Sequence, residues 1–323
     1  MKILITGGAG FIGSTLTDRL LQKGEKVVVV DNFNDFYDPA VKRDNIAEAM
    51  NNADFRLYEL DIREGKRLTN VFEAESPDAV CHIAARAGVR PSIDDPVLYE
   101  EVNSMGTLNV LEASKTAGVK NLVCASSSSV YGLNSKIPFS EDDPLEGPIS
   151  PYAATKRANE LMCYTYSHLY KLPITCMRFF TVYGERGRPD MAVAKFTKLI
   201  SEGKAIPLYG DGSAIRDFTY IGDIIDGLTA SLYKPFPYEI INLGGSRTVE
   251  VNKLISLIEQ NLGKKAIIDY LPPFAGDVPI TSADTSKAER LLGFTPKVSI
   301  EEGIERYVRW FLNGTASNKE KVK

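Results

Sequence analysis

The sequence predicts a doubly wound α/β sheet of parallel strands with a second, smaller domain attached. Three observations carry this: short β-branched runs alternate with longer stretches of helical period, several runs are apolar on both faces, and a glycine turn separates the first strand from the first helix. The strands read as Lys2–Thr6, Lys26–Asp31, Phe55–Asp61, Ala79–Ile83, Asn121–Ser126 and Pro173–Phe179. Val27-Val28-Val29-Val30 has no polar face, as expected where helices cover a sheet above and below. Between the first two strands Ile12, Leu16 and Leu20 recur every four residues, and Gly24 supplies the left-handed residue that ends a helix.

Past Phe179 the rhythm changes. A Gly/Arg/Pro stretch from Gly184 to Pro189 precedes a short helix and a Gly210-Asp211-Gly212 turn flanked by apolar pairs. A strand at Tyr238–Leu243 follows, then a helix with Leu254, Ile255, Ile258 and Leu262 on one face, so the two domains interleave in sequence. The expected division is a first domain over 1–180, rejoined by segments near 223–247, a second over 181–313, and a frayed polar tail from Gly314 to Lys323.

Composition narrows the function. Of 323 residues 44% are hydrophobic and 25% charged, the make-up of an ordinary folded protein and not of a collagenous, coiled-coil or disordered one. Lys and Arg total 38 against 42 Asp and Glu, a formal charge of −4, so no sequence-wide positive field exists to hold nucleic acid. Cys81, Cys124, Cys163 and Cys176 lie far apart inside apolar runs, without the spacings of a zinc site or redox pair. With only His82 and His168 beside them, metal clusters and histidine relays lack parts, and no metal is expected. Lys2 opens a strand pattern where a signal peptide would need a basic and then an apolar region, and no apolar run is long enough to cross a bilayer. A cytoplasmic setting with no membrane partner is expected.

Thr6-Gly7-Gly8-Ala9-Gly10-Phe11-Ile12-Gly13 sits between the first strand and the first helix. A diphosphate has to approach backbone N–H groups at a helix N-terminus, which only residues without side chains allow, and the last glycine lets helix and strand pack closely. Asp31 ends the second strand 18 residues beyond Gly13, placed to accept from a ribose diol. With neutral Asn32 next to it, Asp31 favours NAD over NADP, because a carboxylate repels a 2′-phosphate. This is the Rossmann arrangement of a dinucleotide site. Asp61 and Ile62 fall where the adenine belongs, and Ala84 and Ala85 form a wall against which a flat cofactor can rest. His82 reads as a packed strand residue.

The fifth strand runs into Ser126-Ser127-Ser128-Ser129, and strand ends open into the crevice of such a sheet. Tyr152 and Lys156 lie four residues apart on a helix announced by Ser150-Pro151, an N-cap followed by proline at the first position, so they share one face. A phenol near pKa 10 is a poor base at neutral pH, and a neighbouring ammonium favours its phenolate.

These residues resemble the extended short-chain dehydrogenase/reductase superfamily along nearly the whole chain, through Arg216-Asp217-Phe218 to Gly276-Asp277-Val278-Pro279. Within it the sequence resembles the nucleotide-sugar epimerases. The stretches Asp31-Asn32-Phe33-Asn34-Asp35-Phe36-Tyr37-Asp38-Pro39 and Arg178 to Ala192 are especially similar to the UDP-glucuronate 4-epimerases. The resemblance implies that Tyr152 takes the proton of the sugar's 4-hydroxyl, assisted by Ser127, while tightly held NAD accepts the hydride. The 4-keto sugar then turns and takes the hydride back on its other face, converting UDP-glucuronate to UDP-galacturonate. It further implies that Arg216 contacts the UDP diphosphate, Asp277 the uridine ribose, and Thr181 with Arg188 the uronate carboxylate, and Ser128 is expected among the substrate-binding residues. A homodimer through helices near residues 96–117 and 151–170 is implied too.

Departures from sister patterns sharpen the choice. Dehydratases and uronate decarboxylases of the superfamily carry an acidic residue before Val130-Tyr131-Gly132, where this chain has Ser129. Glucose/galactose-type 4-epimerases usually have Asn, Arg and Tyr at the positions of Thr181, Phe274 and Thr281. A UDP-glucose or UDP-N-acetylhexosamine 4-epimerase is therefore the alternative enzyme. A non-catalytic dinucleotide sensor is the alternative of another class, since the fold alone implies no reaction.

Overall fold

A computed structural model describes residues 1–145, 147–273 and 278–320, the last six by backbone alone. Twelve strands are named among them: β1 Lys2–Thr6, β2 Lys26–Asp31, β3 Phe55–Glu59, β4 Ala79–His82, β5 Asn121–Ser127, β6 Ile174–Phe179, β7 Thr181–Tyr183, β8 Ala205–Tyr209, β9 Ile215–Tyr220, β10 Tyr238–Leu243, β11 Thr248–Glu250 and β12 Ile267–Leu271. Seven of them form one sheet in the order β10-β6-β5-β4-β1-β2-β3, every neighbouring pair parallel. The strand order reverses between β1 and β4, and a crevice opens there at the carboxyl ends.

Alternation along the strands explains why both faces are covered. Ile3, Ile5, Val27 and Val29 enter one apolar cluster with Leu16 and Leu20 of the helix Phe11–Gln22. Leu4, Val28 and Val30 enter the opposite cluster with Leu68, Phe72, Val110 and Leu111. Val27 to Val30 are each at most 2% exposed, and burying a valine side chain contributes about 1.5–3 kcal/mol. The all-valine run is therefore a central strand with no solvent face.

β3 ends two residues before the sequence predicted. Leu60, Asp61 and Ile62 leave the ladder to line the crevice. The Gly210-Asp211-Gly212 turn does not join paired strands: β8 pairs with β12, while β9 pairs with β7 and β11. Gly212 suits its φ of +82°, a left-handed backbone that glycine adopts without strain. The backbone of the final helix runs Ile300–Glu320, past the Gly314 at which the sequence places a frayed tail, and residues 321–323 lie outside the described residues. No helix among the described residues is long and apolar enough to cross a membrane.

Candidate active site

The glycine turn is held together from both sides. A Cβ at Gly7 would lie 2.7 Å from the Ala84 nitrogen, and one at Gly13 only 2.2 Å from the Gly7 carbonyl oxygen. No side chain caps the helix that begins at Phe11, and its first turn has no acidic residue. The amides of Phe11, Ile12 and Gly13 therefore stand at the wall of a crevice that they line with Gly7 and Gly10. Bare backbone at a positive helix end is a cradle for a diphosphate.

Asp31, 7% exposed, reaches back into this turn. Its carboxylate accepts from the Ala9 amide at 3.1 Å and the Phe33 amide at 2.9 Å. Burial raises its pKa above the usual carboxylate value, a shift the Phe33 amide and the Lys42 ammonium oppose. Asn32 donates to Asp61 at 2.8 Å, and Arg63 grips the same carboxylate at 3.0 and 2.9 Å. Burial resists the Asp61 charge, but the Arg63 hydrogen bonds outweigh it and lower the pKa. Asp31, Asn32, Asp61 and Ile62 thus line one end of the cavity, and Ala84 and Ala85 line it beyond the turn.

Toward the other end, the helix Pro151–Tyr170 begins as its sequence predicts, with the Ser150 hydroxyl accepting from the Ala153 amide at 3.1 Å. Lys156 is 4% exposed and donates its Nζ proton to the Ala125 carbonyl at 2.7 Å. That ammonium lies 5.9 Å from the centre of the Tyr152 ring. Tyr99 meets Tyr152 edge to face at 6.3 Å and is anchored by its own hydroxyl to the Ala87 carbonyl. Ser127 Oγ caps the short turn Ser128–Tyr131 and donates to Ser129 Oγ at 3.1 Å. Ser127, Ser128, Tyr152, Lys156, Thr181, Arg188 and Arg216 all line the same cavity as the glycine turn, a space of about 530 Å³. Asp277 lies outside the described residues, as do Phe274 and Gly276. Arg216 donates to the carbonyls of Ile215 and Pro279 at 2.9 and 3.2 Å.

His82 is packed, as expected: its ring nitrogens meet Thr6 Oγ1 at 2.7 Å and Thr107 Oγ1 at 2.9 Å, and burial pushes its pKa down to about 4. All four cysteines are buried thiols.

Several site residues were missed by the sequence reasoning. Lys42, 4% exposed, bonds the Asn34 carbonyl at 2.8 Å from the helix Pro39–Ile46, whose Asp38-Pro39 start is a readable N-cap signal. Phe36 lies between the guanidinium groups of Arg86 and Arg188, at 5.5 and 5.4 Å, so it joins the loop after β2 to the loop after β7. Tyr37, whose phenol burial pushes up to about 12, lines the cavity beside it. Asn103 pairs with both backbone groups of Arg86, at 2.8 and 3.0 Å, and fixes the segment that follows Ala85. It stands in a π-helical turn, Glu100–Met105, a local distortion common at functional sites.

Fold and cavity together define an SDR-type nucleotide-sugar enzyme, and the chain belongs to the family described as GDP-mannose 4,6 dehydratase, matched over residues 4–307. Within that family it is 50% identical over 308 residues to a UDP-glucuronate 4-epimerase of Thermodesulfobacterium geofontis, covering 95% of each chain. It superposes with a TM-score of 0.92 on the UDP-glucuronic acid 4-epimerase of Bacillus cereus, solved in complex with UDP-glucuronic acid and NAD. Identity there is 38%, over 97% of this chain and 99% of that one. The UDP-glucose 4-epimerase of Thermotoga maritima, solved with UDP-glucose, gives a TM-score of 0.90 at 33% identity, over 98% of this chain and 100% of the other.

Proposed function

We propose that this chain is an NAD-dependent UDP-glucuronate 4-epimerase, an isomerase that inverts the fourth carbon of a UDP-linked uronate to give UDP-galacturonate. One observation carries the reading: a single cavity joins the glycine turn, the Ser127, Tyr152 and Lys156 cluster, and the pair Thr181 and Arg188. NAD bound along the turn supplies a reversible hydride acceptor for that carbon. The amides of Phe11, Ile12 and Gly13 hold its diphosphate, Asp31 and Asn32 its adenosine ribose, and Asp61 and Ile62 its adenine. Ala84 and Ala85 border its nicotinamide half together with Tyr152 and Lys156.

Tyr152 takes and returns the proton of the 4-hydroxyl. Lys156 keeps its ammonium 5.9 Å from the centre of the Tyr152 ring, and Ser127 hydrogen-bonds the same oxygen of the sugar. Arg216 holds the UDP diphosphate with paired donors, and Asp277 the uridine ribose. Thr181, Arg188 and Ser128 hold the carboxylate. A ketone at the fourth carbon makes the uronate a β-keto acid, so the grip on the carboxylate also has to keep it in an orientation poor for loss of carbon dioxide.

Incubation of purified protein with UDP-glucuronate, followed by proton NMR of the anomeric region, tests the assignment. UDP-galacturonate is expected to appear and reach a fixed ratio. An unchanged UDP-glucuronate spectrum beside turnover of UDP-glucose or a UDP-N-acetylhexosamine transfers the assignment to those sugars.

A homodimer in the cytoplasm belongs to the same proposal. Large apolar side chains stand in solvent on the helices Pro96–Tyr99 and Pro151–Tyr170: Val97 is 67% exposed, Leu161 53%, Tyr164 55% and Leu169 59%. Such a patch supports burial against a second copy. The buried thiols fit a reducing compartment.

A further inference from the structure

Tyr152, Lys156 and Glu160 follow one another at four-residue intervals, so they share one face of the helix Pro151–Tyr170. The proposed chemistry uses the first two. Glu160 is sealed from solvent: its side chain is 0% exposed, and that of its ion-pair partner Arg178 is 1%. Its Oε1 accepts from Arg178 Nε at 2.8 Å and from Ser126 Oγ at 2.7 Å. Its Oε2 accepts from Arg178 Nη2 and Arg157 Nη1, both at 2.9 Å.

One carboxylate therefore ties the helix to the ends of β5 and β6. Ser126 immediately precedes Ser127, and Ala125, just before it, supplies the carbonyl that takes the Lys156 proton at 2.7 Å. Arg178 is three residues before Thr181, and its guanidinium lies 4.8 Å from the centre of the Tyr131 ring. Tyr131 in turn donates to Asn242 of β10 at 2.7 Å. Of these residues Ala125 and Ser126 line the reacting cavity themselves, and Arg178 stands on the strand that leads to cavity-lining Thr181.

Energetics separate this role from simple stabilisation. Desolvating two charges offsets most of their attraction, and apolar pairs of similar volume often fold as well or better. What a bidentate carboxylate–guanidinium pair adds is direction, because two parallel hydrogen bonds fix both distance and angle. We propose that Glu160 and Arg178 form a positioning pair that sets the separation between Ser127 on β5 and the Tyr152–Lys156 face of the helix. The proposal rests on the epimerase reading above, since it concerns where the sugar's proton is exchanged. A misplacement of about 1 Å at a reacting centre can cost about 10²-fold in rate.

The test replaces the pair by Glu160→Leu with Arg178→Met, which removes both buried charges together; Arg157, 33% exposed, loses its carboxylate partner where water can reach it. The double variant is expected to melt within a few degrees of wild type and to bind UDP and NAD within about threefold. Its kcat for UDP-glucuronate is expected to fall about 100-fold with KM little changed. A kcat within about threefold of wild type overturns the proposal, as does a loss shared equally by ligand affinity. Should the double variant not fold, Ser126→Ala decides, since it removes one hydrogen bond and leaves the ions paired. A fall in kcat of about tenfold at constant KM is expected for it, and an unchanged kcat overturns the proposal. Wild-type turnover is measured first. An inert wild type overturns the epimerase assignment and this inference with it, whereas an active wild type beside unaffected variants overturns the positioning role alone.

Discussion

Arg188 grips Asp190 with a two-pronged bond, Nε to one carboxylate oxygen at 3.0 Å and Nη2 to the other at 2.6 Å. Under the proposed carboxylate role, an entering uronate would meet an arginine already paired, and would have to share the guanidinium or displace Asp190. Asp190 is 43% exposed while Arg188 is 19% exposed, so the aspartate is the partner with water ready to receive it.

Removing that guanidinium tests its part in the reaction. A hydrogen bond to a charged group contributes about 1.5–3 kcal/mol, so Arg188→Ala is expected to lower kcat/KM for UDP-glucuronate by about 10- to 100-fold. The fraction of product that has lost carbon dioxide is expected to rise. Proton NMR of the reaction mixture reads both quantities, and the carboxylate role fails if turnover and product ratio both stay as in wild type.

Tyr152→Phe keeps the ring against Tyr99 and deletes only the hydroxyl proposed to carry the proton. General acid–base groups contribute about 10²–10⁴-fold, and a loss of that size in kcat is expected with NAD still retained. Quantifying released dinucleotide beside a turnover assay checks the two halves together. Undiminished activity removes Tyr152 from the mechanism.

Much of this centre is legible in the residues alone, because its parts depend on local chemistry. The bounds of β1, β2 and β10 coincide with the apolar runs that predict them, and Ser150-Pro151 starts its helix as written. The glycine turn and Asp31 fall together since strand, turn and helix are contiguous. Glu160 and Arg178 are different: each is an ordinary charged residue until helix and strand pack, and no periodicity marks a partner 18 positions away. Lys42 is hidden for the same reason, its acceptor being a loop carbonyl that exists only after folding. The Gly210-Asp211-Gly212 signal marks a turn and does not say which neighbours its flanking strands choose: β8 pairs with β12 and β9 with β7 and β11.

Stability should respond to acid through Glu75, at the end of the helix Gly65–Glu75 and 2% exposed. Burial opposes its charge, but hydrogen bonds from Tyr58 at 2.7 Å, Arg56 at 2.8 Å and Lys2 at 3.1 Å prevail and bring its pKa down to about 2 from 4.5. A carboxylate depressed in the folded state contributes stability above its unfolded value, and that contribution is lost as pH falls from 4.5 toward 2. Glu75→Gln is expected to melt lower at pH 7 and to lose less on acidification. Thermal melts across that range check it, and parallel curves for the two proteins would refute it.

Association should depend on the exposed apolar face. Leu161→Glu combined with Tyr164→Glu places charges where a second copy would pack, and a shift from dimer to monomer is expected in sedimentation velocity. A wild type that sediments as a monomer ends the dimer proposal.

The place of β10 at one edge of the central sheet has a consequence for synthesis. Residues 238–243 cover the flank of β6, yet they leave the ribosome long after residues 174–179 do. For that interval the nascent chain displays an uncapped ladder of amides and carbonyls, a ready template for intermolecular strand addition. Truncated translation products ending near residue 180 are thus expected to collect in inclusion bodies or on holdase chaperones, while in the finished polypeptide β10 pairs along the flank of β6.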